Sequence, residues 1–193
     1  MIGITGGIAS GKTLVSNRLR DLGAVVLDAD AYAKKAVEPR GLGWKEVADV
    51  FPMVVQDDLT LNRQLLAKII FADQEKRILL ERIIHPIVLK LIKSDAYEAE
   101  QKGKIVFAEI PLLYEVGWNE WIDRVWVVYV KPEIQLERLV KRANISLSEA
   151  KQMIASQLPL DHKVGLADEV IYNNGTIRET WEQIDSLWKD LQH

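Results

Sequence analysis

The sequence predicts an α/β fold with a parallel sheet and a helical insertion. Its short apolar runs are hydrophobic throughout rather than alternating, which is typical of strands buried on both faces. Helical patterns separate these runs, as they do when crossover helices join parallel strands. Roughly seventy residues lie between the second and third runs, more than one crossover helix needs. We therefore expect a core formed by 1–30 and 104–193, and a helical subdomain formed by 31–103.

Each of five strands is predicted from a short run of apolar, often β-branched residues. The first contains Ile2 and Ile4 and ends in a glycine-rich turn. The other four runs are Ala24–Leu27, Ile105–Ala108, Val125–Val130 and Val170–Tyr172.

Apolar residues at helical spacing predict the helices. Val15, Leu19 and Leu22 recur at this spacing directly after the glycine-rich turn. Within the insertion the helical pattern divides at Pro86, which puts His85 at the start of a helix. The helical patterns of the insertion cover about 62–71, 74–84 and 87–101.

Two capping boxes predict helix starts nearer the end of the chain. Ser146 is followed three residues later by Glu149, and Thr176 by Glu179, so a helix should begin directly after each cap. Apolar residues then repeat at four-three spacing over 177–191. A coiled-coil seam is one interpretation, but a terminal helix packed on the sheet is the better one, because the repeat spans only about two heptads.

Composition excludes several classes of function. The chain has 25 Lys and Arg against 28 Asp and Glu, a formal net charge of -3, so no global basic field would gather nucleic acid or an anionic membrane. Without cysteine there is no thiolate metal site and no cysteine nucleophile. No apolar run approaches the ~18 residues of a membrane span. We expect a cytoplasmic monomer or weak oligomer that binds neither nucleic acid nor membrane.

The segment Gly6-Gly7-Ile8-Ala9-Ser10-Gly11-Lys12-Thr13 has the phosphate-loop pattern of Gly, four residues, Gly, Lys, then Ser or Thr. It follows a predicted strand and opens a predicted helix, where backbone N–H groups and the helix dipole both favour a phosphate. Lys12 should bridge the β and γ phosphates of a nucleotide, and the Thr13 hydroxyl should ligate its Mg²⁺. The alternative is a glycine-rich turn that binds no ligand.

Two aspartates and two arginines are further candidates. Asp28 and Asp30 stand at the carboxyl end of a strand, where ligands bind in open α/β sheets, so one could accept a proton from a substrate hydroxyl. The alternative is that either one caps the next helix. Arg138 and Arg142 are four residues apart and share one helix face, which could reach the phosphates or simply face solvent.

Several blocks of residues, in the same order along almost the whole chain, resemble the dephospho-coenzyme A kinase family. The resemblance starts from the phosphate loop and extends over blocks in both halves of the chain. The further blocks are Leu27-Asp28-Ala29-Asp30, Asn62-Arg63, His85-Pro86, Pro111-Leu112-Leu113-Tyr114-Glu115, Gln135-Leu136-Glu137-Arg138-Leu139 with Arg142, Gln157, Ala167-Asp168 and Asn173-Asn174-Gly175.

This resemblance implies a P-loop NTPase fold of three layers, with a five-stranded parallel sheet, a helical CoA-binding insertion and a lid at about 138–165. It implies transfer of phosphate from ATP, with Mg²⁺, to the ribose 3′-hydroxyl of dephospho-CoA, giving CoA and ADP. Its partners would be ATP and dephospho-CoA.

The resemblance also implies roles for individual residues. Asp30 would be the general base, with Lys12 and Arg138 as the other catalytic residues, and Thr13 would be the metal ligand. The implied ATP-binding residues are Gly7, Ile8, Ala9, Ser10, Gly11, Lys12, Thr13, Leu14, Arg138, Arg142, Asn173, Gly175 and Thr176. The implied acceptor-binding residues are Asp30, Tyr32, Arg63, His85, Leu112, Leu113 and Glu115.

Two positions depart from the family pattern. Glu109 stands where an aspartate is expected before the Pro-Leu-Leu block, and its longer side chain weakens the expectation of a direct metal ligand. Leu59 stands where the turn before Arg63 commonly has glycine, so a differently shaped hairpin is expected.

Two other functions compete with the one that the resemblance implies. A related small-molecule or nucleoside monophosphate kinase would share the phosphate loop and differ in its acceptor. A nucleotide-dependent switch would bind nucleotide tightly and transfer little phosphate, but the chain has no guanine-selecting Asn-Lys-x-Asp stretch.

Overall fold

A computed structural model describes residues 1–192. Five strands form one parallel sheet in the order β2-β3-β1-β4-β5, which confirms the predicted fold class. The central strand β1 pairs in parallel with β3 on one side and β4 on the other, so the turn that follows β1 lies at the middle of the carboxyl edge. The strands are β1 (Ile2–Gly6), β2 (Val25–Asp28), β3 (Val106–Glu109), β4 (Arg124–Tyr129) and β5 (Glu169–Tyr172).

Helices connect the strands and build the insertion. Both predicted capping boxes are confirmed: the hydroxyls of Ser146 and Thr176 accept backbone N–H groups three residues on, and Glu149 and Glu179 bond back to the caps. The helices are α1 (Lys12–Asp21), α2 (Ala29–Ala36), α3 (Trp44–Val50), α4 (Arg63–Ala72), α5 (Gln74–Gln101), α6 (Pro132–Ala143), α7 (Leu147–Ala155), α8 (Leu160–Gly165) and α9 (Ile177–Asp190), with short 3₁₀ turns at Pro52–Val54 and Trp118–Trp121.

The chain divides into two compact units. The first comprises Met1–Leu27 and Ala99–His193, of which His193 lies outside the described residues, and the second comprises Asp28–Glu98. In the part of the chain that the structure describes, no helix is both long enough and apolar enough to span a membrane.

The core of the first unit lies between the sheet and the helices α1 and α9. Phe107 of β3 meets Trp126 of β4 edge to face, with ring centroids 5.0 Å apart, and both side chains are buried. Ile184 and Trp188 of α9 are buried in the same cluster as Leu19 of α1. The apolar repeat of α9 therefore packs on the sheet, as the preferred sequence interpretation expects.

The second unit has its own apolar core. Its residues come from the connections as well as the helices, since Val54 and Leu61 flank a turn between the 3₁₀ segment and α4. Burial of this cluster supplies the main driving force for folding the insertion. The buried members are Val37, Val47, Phe51, Val54, Leu61, Leu66 and Leu80.

Helix α5 is continuous over 28 residues, so the predicted break at Pro86 is wrong, and His85 lies inside a helix rather than at its start. A proline removes the hydrogen bond to the carbonyl four residues earlier, here that of Arg82. Both Arg82 and Pro86 are exposed, which lets water bond to that carbonyl. Burial of Leu80, Val88, Ile92 and Ala96 along one face holds the helix through the proline.

The turn before α4 contains a residue in a strained conformation. Val55 and Leu61 form an antiparallel bridge, and the turn that joins them puts Leu59 in the left-handed region, with φ 66°. The Leu59 side chain is 54% exposed and so gains little from burial, while its carbonyl accepts the Trp44 indole N–H at 2.7 Å. The cost of the conformation arises from the Cβ atom, which glycine lacks.

We predict that Leu59→Gly is more stable than Leu59→Ala. Removing the Cβ relieves about 1–2 kcal/mol of backbone strain, which exceeds the extra chain entropy of glycine, about 0.5–1 kcal/mol. Urea denaturation of the two variants measures the difference. Alanine is the matched control because it removes the exposed side chain and keeps the Cβ; equal stability of the two variants would contradict the strain.

Candidate active site

The glycine-rich turn between β1 and α1 has the backbone of a phosphate loop. Gly6 and Gly11 adopt φ values of 152° and 99°. A Cβ on Gly6 would lie 2.5 Å from the Val128 carbonyl oxygen, and one on Gly11 would collide with the amide of Asn173. Only glycine fits at these two positions, which are the two fixed glycines of the sequence motif.

Lys12 lies across this loop. Its Nζ donates to the carbonyl oxygens of Gly6 at 3.1 Å and Gly7 at 3.0 Å. The Gly7 carbonyl also accepts the Ser10 N–H at 3.2 Å. Ala9, which lies between Gly7 and Ser10 in this turn, adopts the left-handed conformation with φ 59°. This conformation is costly for a residue with a Cβ. The ammonium and the loop backbone are thus held in one compact arrangement.

A cleft of about 670 Å³ lies beside the loop, within the first unit. Most of the predicted ATP-binding residues line it. The predicted ATP-binding residues that do not line it are Gly7, Ile8, Ser10, Lys12 and Thr176. The cleft is lined by Ala9, Gly11, Thr13, Leu14, Arg138, Lys141, Arg142, Asn173, Gly175 and Ile177.

Three cations of α6 face this cleft. Arg138 and Arg142 both line it, which favours the phosphate-facing interpretation over a purely solvated face. Lys141, which is not among the predicted site residues, also lines the cleft; its spacing of three residues from Arg138 puts the two on the same helix face. Positive side chains that converge on a phosphate loop are suited to a polyanionic ligand.

The wall formed by β5 and α9 contributes Asn173. Its Nδ2 donates to the Ser10 carbonyl at 2.8 Å, and its Oδ1 accepts the Thr180 hydroxyl at 3.1 Å. The buried Asn173 side chain therefore supports the loop while the residue lines the cleft. The Thr176 hydroxyl caps α9, and Thr176 does not line the cleft. Ile177, the first residue of that helix, lines the cleft instead and is not among the residues predicted from the sequence.

The second strand ends in a helix cap. Asp28 Oδ1 accepts the N–H groups of Asp30 at 2.9 Å and Ala31 at 3.3 Å, so the capping alternative is confirmed for Asp28. Asp30 is exposed in the first turn of α2. One turn further, the Tyr32 hydroxyl donates to Asp95 at 2.5 Å. Burial and this hydrogen bond raise the pKa of Tyr32, so the phenol keeps its proton at neutral pH.

Two other predicted acceptor residues lie in the second unit with Tyr32. Arg63 is the first residue of α4 and is 55% exposed, with a guanidinium nitrogen 3.9 Å from Glu38. His85 is half-buried within α5, and burial lowers the pKa of its imidazole despite the nearby Glu81. The neutral imidazole is therefore the main form at pH 7.

The segment after β3 corrects one prediction and adds a contact. Leu113 is completely buried, so its side chain belongs to the core and is not available to an acceptor, whereas Leu112 is exposed. Glu115 Oε1 accepts the Lys163 ammonium at 2.7 Å and the Leu158 N–H at 3.0 Å. Lys163 is 0% exposed and also donates to the Pro111 carbonyl. The Glu115 carboxylate thus forms an ion pair that joins α8 to the segment after β3.

Glu109 ends β3 and bonds to α1. Its Oε2 accepts the hydroxyl of Ser16 at 2.6 Å, and Ser16 is buried one turn beyond Thr13. The longer side chain thus has a partner within the protein. Among residues 1–192 there is no cluster of three or more His, Cys, Asp or Glu side chains that could hold a metal ion.

The sheet has a strand–phosphate loop–helix unit at its centre, and cations of α6 line the cleft beside that loop. This arrangement defines a P-loop kinase. The family model described as dephospho-CoA kinase matches residues 1–179, and the chain belongs to that family. It is 45% identical over 191 residues to a dephospho-CoA kinase of Shouchella clausii, with 97% of each chain covered.

Solved structures agree with this membership. The chain superposes on a Thermus thermophilus crystal structure with a TM-score of 0.85 and 33% identity, covering 98% of this chain and 96% of the other. A dephospho-CoA kinase from Campylobacter jejuni gives a TM-score of 0.76 at 25% identity, with the same coverage.

We predict that the Glu115–Lys163 pair is structural, so Glu115→Ala should lower the free energy of unfolding by about 3 kcal/mol because it leaves a buried ammonium without its carboxylate. Lys163→Met should cost less, since the Glu115 side chain is 20% exposed and keeps the Leu158 N–H.

Chemical denaturation of the single variants and of the double variant tests this pair. The double variant should be more stable than Glu115→Ala alone. A Glu115→Ala protein of full stability with a raised KM for the acceptor would instead support the role in acceptor binding that the sequence predicts for Glu115.

Proposed function

We propose that this protein transfers the γ-phosphate of ATP to the ribose 3′-hydroxyl of dephospho-CoA, producing CoA and ADP as the last step of coenzyme A synthesis. The observation that carries the proposal is the phosphate loop with Lys12 and the α6 cations beside one cleft, in a chain of the dephospho-CoA kinase family. A cytoplasmic location and a monomeric or weakly associated state stay predictions.

The first unit would bind ATP. Backbone N–H groups of the loop and the Lys12 ammonium would hold the phosphates, and Arg138 would neutralise charge on the transferring group together with Arg142. Lys141 adds a third positive charge to this wall. Asn173, Gly175 and Ile177 line another side of the cleft and would contact the base and ribose.

Thr13 is the residue that would hold Mg²⁺. Its side chain is exposed at the start of α1 and lines the cleft, and a hydroxyl is the hard oxygen donor that this ion prefers. Mg²⁺ usually keeps several waters and uses substrate phosphates as ligands, so one protein hydroxyl fits it. When bound, the ion would offset negative charge on the β and γ phosphates.

Asp30 is the proposed general base. Asp28 is committed to capping α2, so Asp30 is the better candidate of the two carboxylates that follow β2. Asp30 would take the proton of the 3′-hydroxyl while that oxygen forms a bond to the γ-phosphorus. The bond from the γ-phosphorus to the bridging oxygen then breaks, and ADP leaves. Tyr32, Arg63 and His85, in the same unit, would contact the acceptor.

Acceptor-dependent release of ADP tests the function. The protein is incubated with ATP and Mg²⁺ and with dephospho-CoA, AMP, CMP, shikimate or no acceptor. We expect ADP release with dephospho-CoA alone, and CoA in equal amount. Release with another acceptor would make the protein a P-loop kinase of different specificity, and nucleotide binding without acceptor-dependent release would favour a switch.

We predict that Asp30→Asn lowers kcat by ~10² or more and leaves ATP binding intact, because the amide cannot accept the proton. Asp28→Asn is the matched control: asparagine caps a helix as well as aspartate does, so turnover should stay close to that of the wild type. Steady-state kinetics and ATP titration measure both effects. Wild-type turnover of Asp30→Asn would exclude Asp30 as the base.

A further inference from the structure

Two glutamines contact the phosphate loop at the same residue, Ile8. Gln157 Oε1 accepts the Ile8 N–H at 2.7 Å, and Gln135 Nε2 donates to the Ile8 carbonyl at 2.8 Å. Gln135 is a buried residue of α6, and Gln157 lies between α7 and α8. The amide orientations are fixed, since a backbone N–H can only donate and a carbonyl can only accept.

Gln157 fixes the peptide unit that holds Lys12. In a trans peptide the N–H and C=O groups point in opposite directions. The Ile8 N–H is taken by Gln157, and the Gly7 carbonyl on the far side of the same unit accepts Lys12 Nζ at 3.0 Å. Rotation of this peptide would break both hydrogen bonds, so Gln157 acts on Lys12 through one rigid plane.

Gln135 fixes the next peptide unit. It binds the Ile8 carbonyl, so the Ala9 N–H of that unit points away from Gln135. Ala9 lines the cleft and has the strained φ of 59°, a conformation that persists only where neighbours enforce it. Gln135 lies so close to the loop that a Cβ on Gly7 would collide with its amide.

We propose that Gln135 and Gln157 are positioning residues that set the catalytic geometry of the phosphate loop, Gln157 by orienting the peptide that holds Lys12 and Gln135 by orienting the Ala9 N–H. Gln135 shares α6 with Arg138 and Arg142, so one helix both supports the loop and supplies cations to the cleft beside it. This inference rests on the proposed function only in taking the loop as the nucleotide site.

The opposite roles of the two amides give a selective test. Gln157→Glu keeps a side-chain oxygen that can accept the Ile8 N–H, whereas Gln135→Glu replaces the donor with a group that repels the Ile8 carbonyl. Both substitutions add one negative charge near the loop, so charge alone would act on both in the same direction. Gln157→Met and Gln135→Met remove each hydrogen bond without adding charge.

We expect both methionine variants to lower kcat at saturating ATP by about tenfold or more, because small displacements of catalytic groups are costly. Gln157→Glu should recover part of that loss and Gln135→Glu should not. Gln152→Met, an exposed position on α7, is the matched control and should behave as the wild type. Wild-type kcat in both methionine variants, or the same ranking of Glu and Met variants at both positions, would overturn the proposal.

A second readout separates failure of this inference from failure of the proposed function. Calorimetric titration with ATP and Mg²⁺ needs no acceptor, and the methionine variants should bind up to about tenfold more weakly, as for the loss of one hydrogen bond. If the wild-type protein shows no turnover that depends on dephospho-CoA, the proposed function is wrong. The comparison of ATP binding between the wild type and the methionine variants would still test this inference. Thermal melts identify any variant that does not fold. If a methionine variant does not fold, the kcat of Gln157→Glu should still exceed that of Gln135→Glu, and equal kcat values would contradict the proposal.

Discussion

The phosphate loop requires backbone conformations that it would not hold alone. Gly6, Ala9 and Gly11 all have positive φ within a short stretch, and Ala9 carries a Cβ. The side chains that fix this stretch come from distant parts of the chain: Gln135 and Gln157 bond to Ile8 across 127 and 149 residues. Asn173 reaches Ser10 across 163 residues. The shape of the loop therefore depends on α6, on the segment between α7 and α8, and on the residue that follows β5, which joins the sheet beside β4.

The same region shows how an acidic protein presents a positive cleft. The formal charge is -3, yet Arg138, Lys141 and Arg142 line the cleft beside the loop. Three carboxylates at or after the ends of β2 and β3 accept hydrogen bonds from donors of the protein. Glu109 accepts a hydrogen bond from a serine hydroxyl, and Glu115 accepts hydrogen bonds from a lysine ammonium and a backbone N–H. Asp28 accepts hydrogen bonds from two N–H groups of α2. Three cations of α6 and no carboxylate are among the described residues that line the cleft, so its local charge differs in sign from that of the whole chain.

Features encoded by local signals could be predicted from the sequence. The five strands, both capping boxes and the phosphate loop each depend on neighbouring residues, and most of the predicted ATP-binding positions do line the cleft. The predictions failed where contacts between residues far apart in the sequence determine the structure. Pro86 is a correct local signal for a break, but the buried face of α5 outweighs it. Leu113 belongs to a family block, and only the packed core shows that its side chain is buried. No local pattern could pair Lys163 with Glu115, or either glutamine with Ile8.

The enclosed ammonium of Lys163 has a consequence for chemical accessibility. An amine-modifying reagent needs direct contact with a neutral amine, and this one is 0% exposed and hydrogen-bonded to a carboxylate and a carbonyl. Exposed lysines such as Lys141 would be labelled directly in the native protein, whereas Lys163 could be labelled only during openings of α8. The rate of its acylation would therefore report the opening of this helix, with the surface lysines of the same molecule as the internal reference.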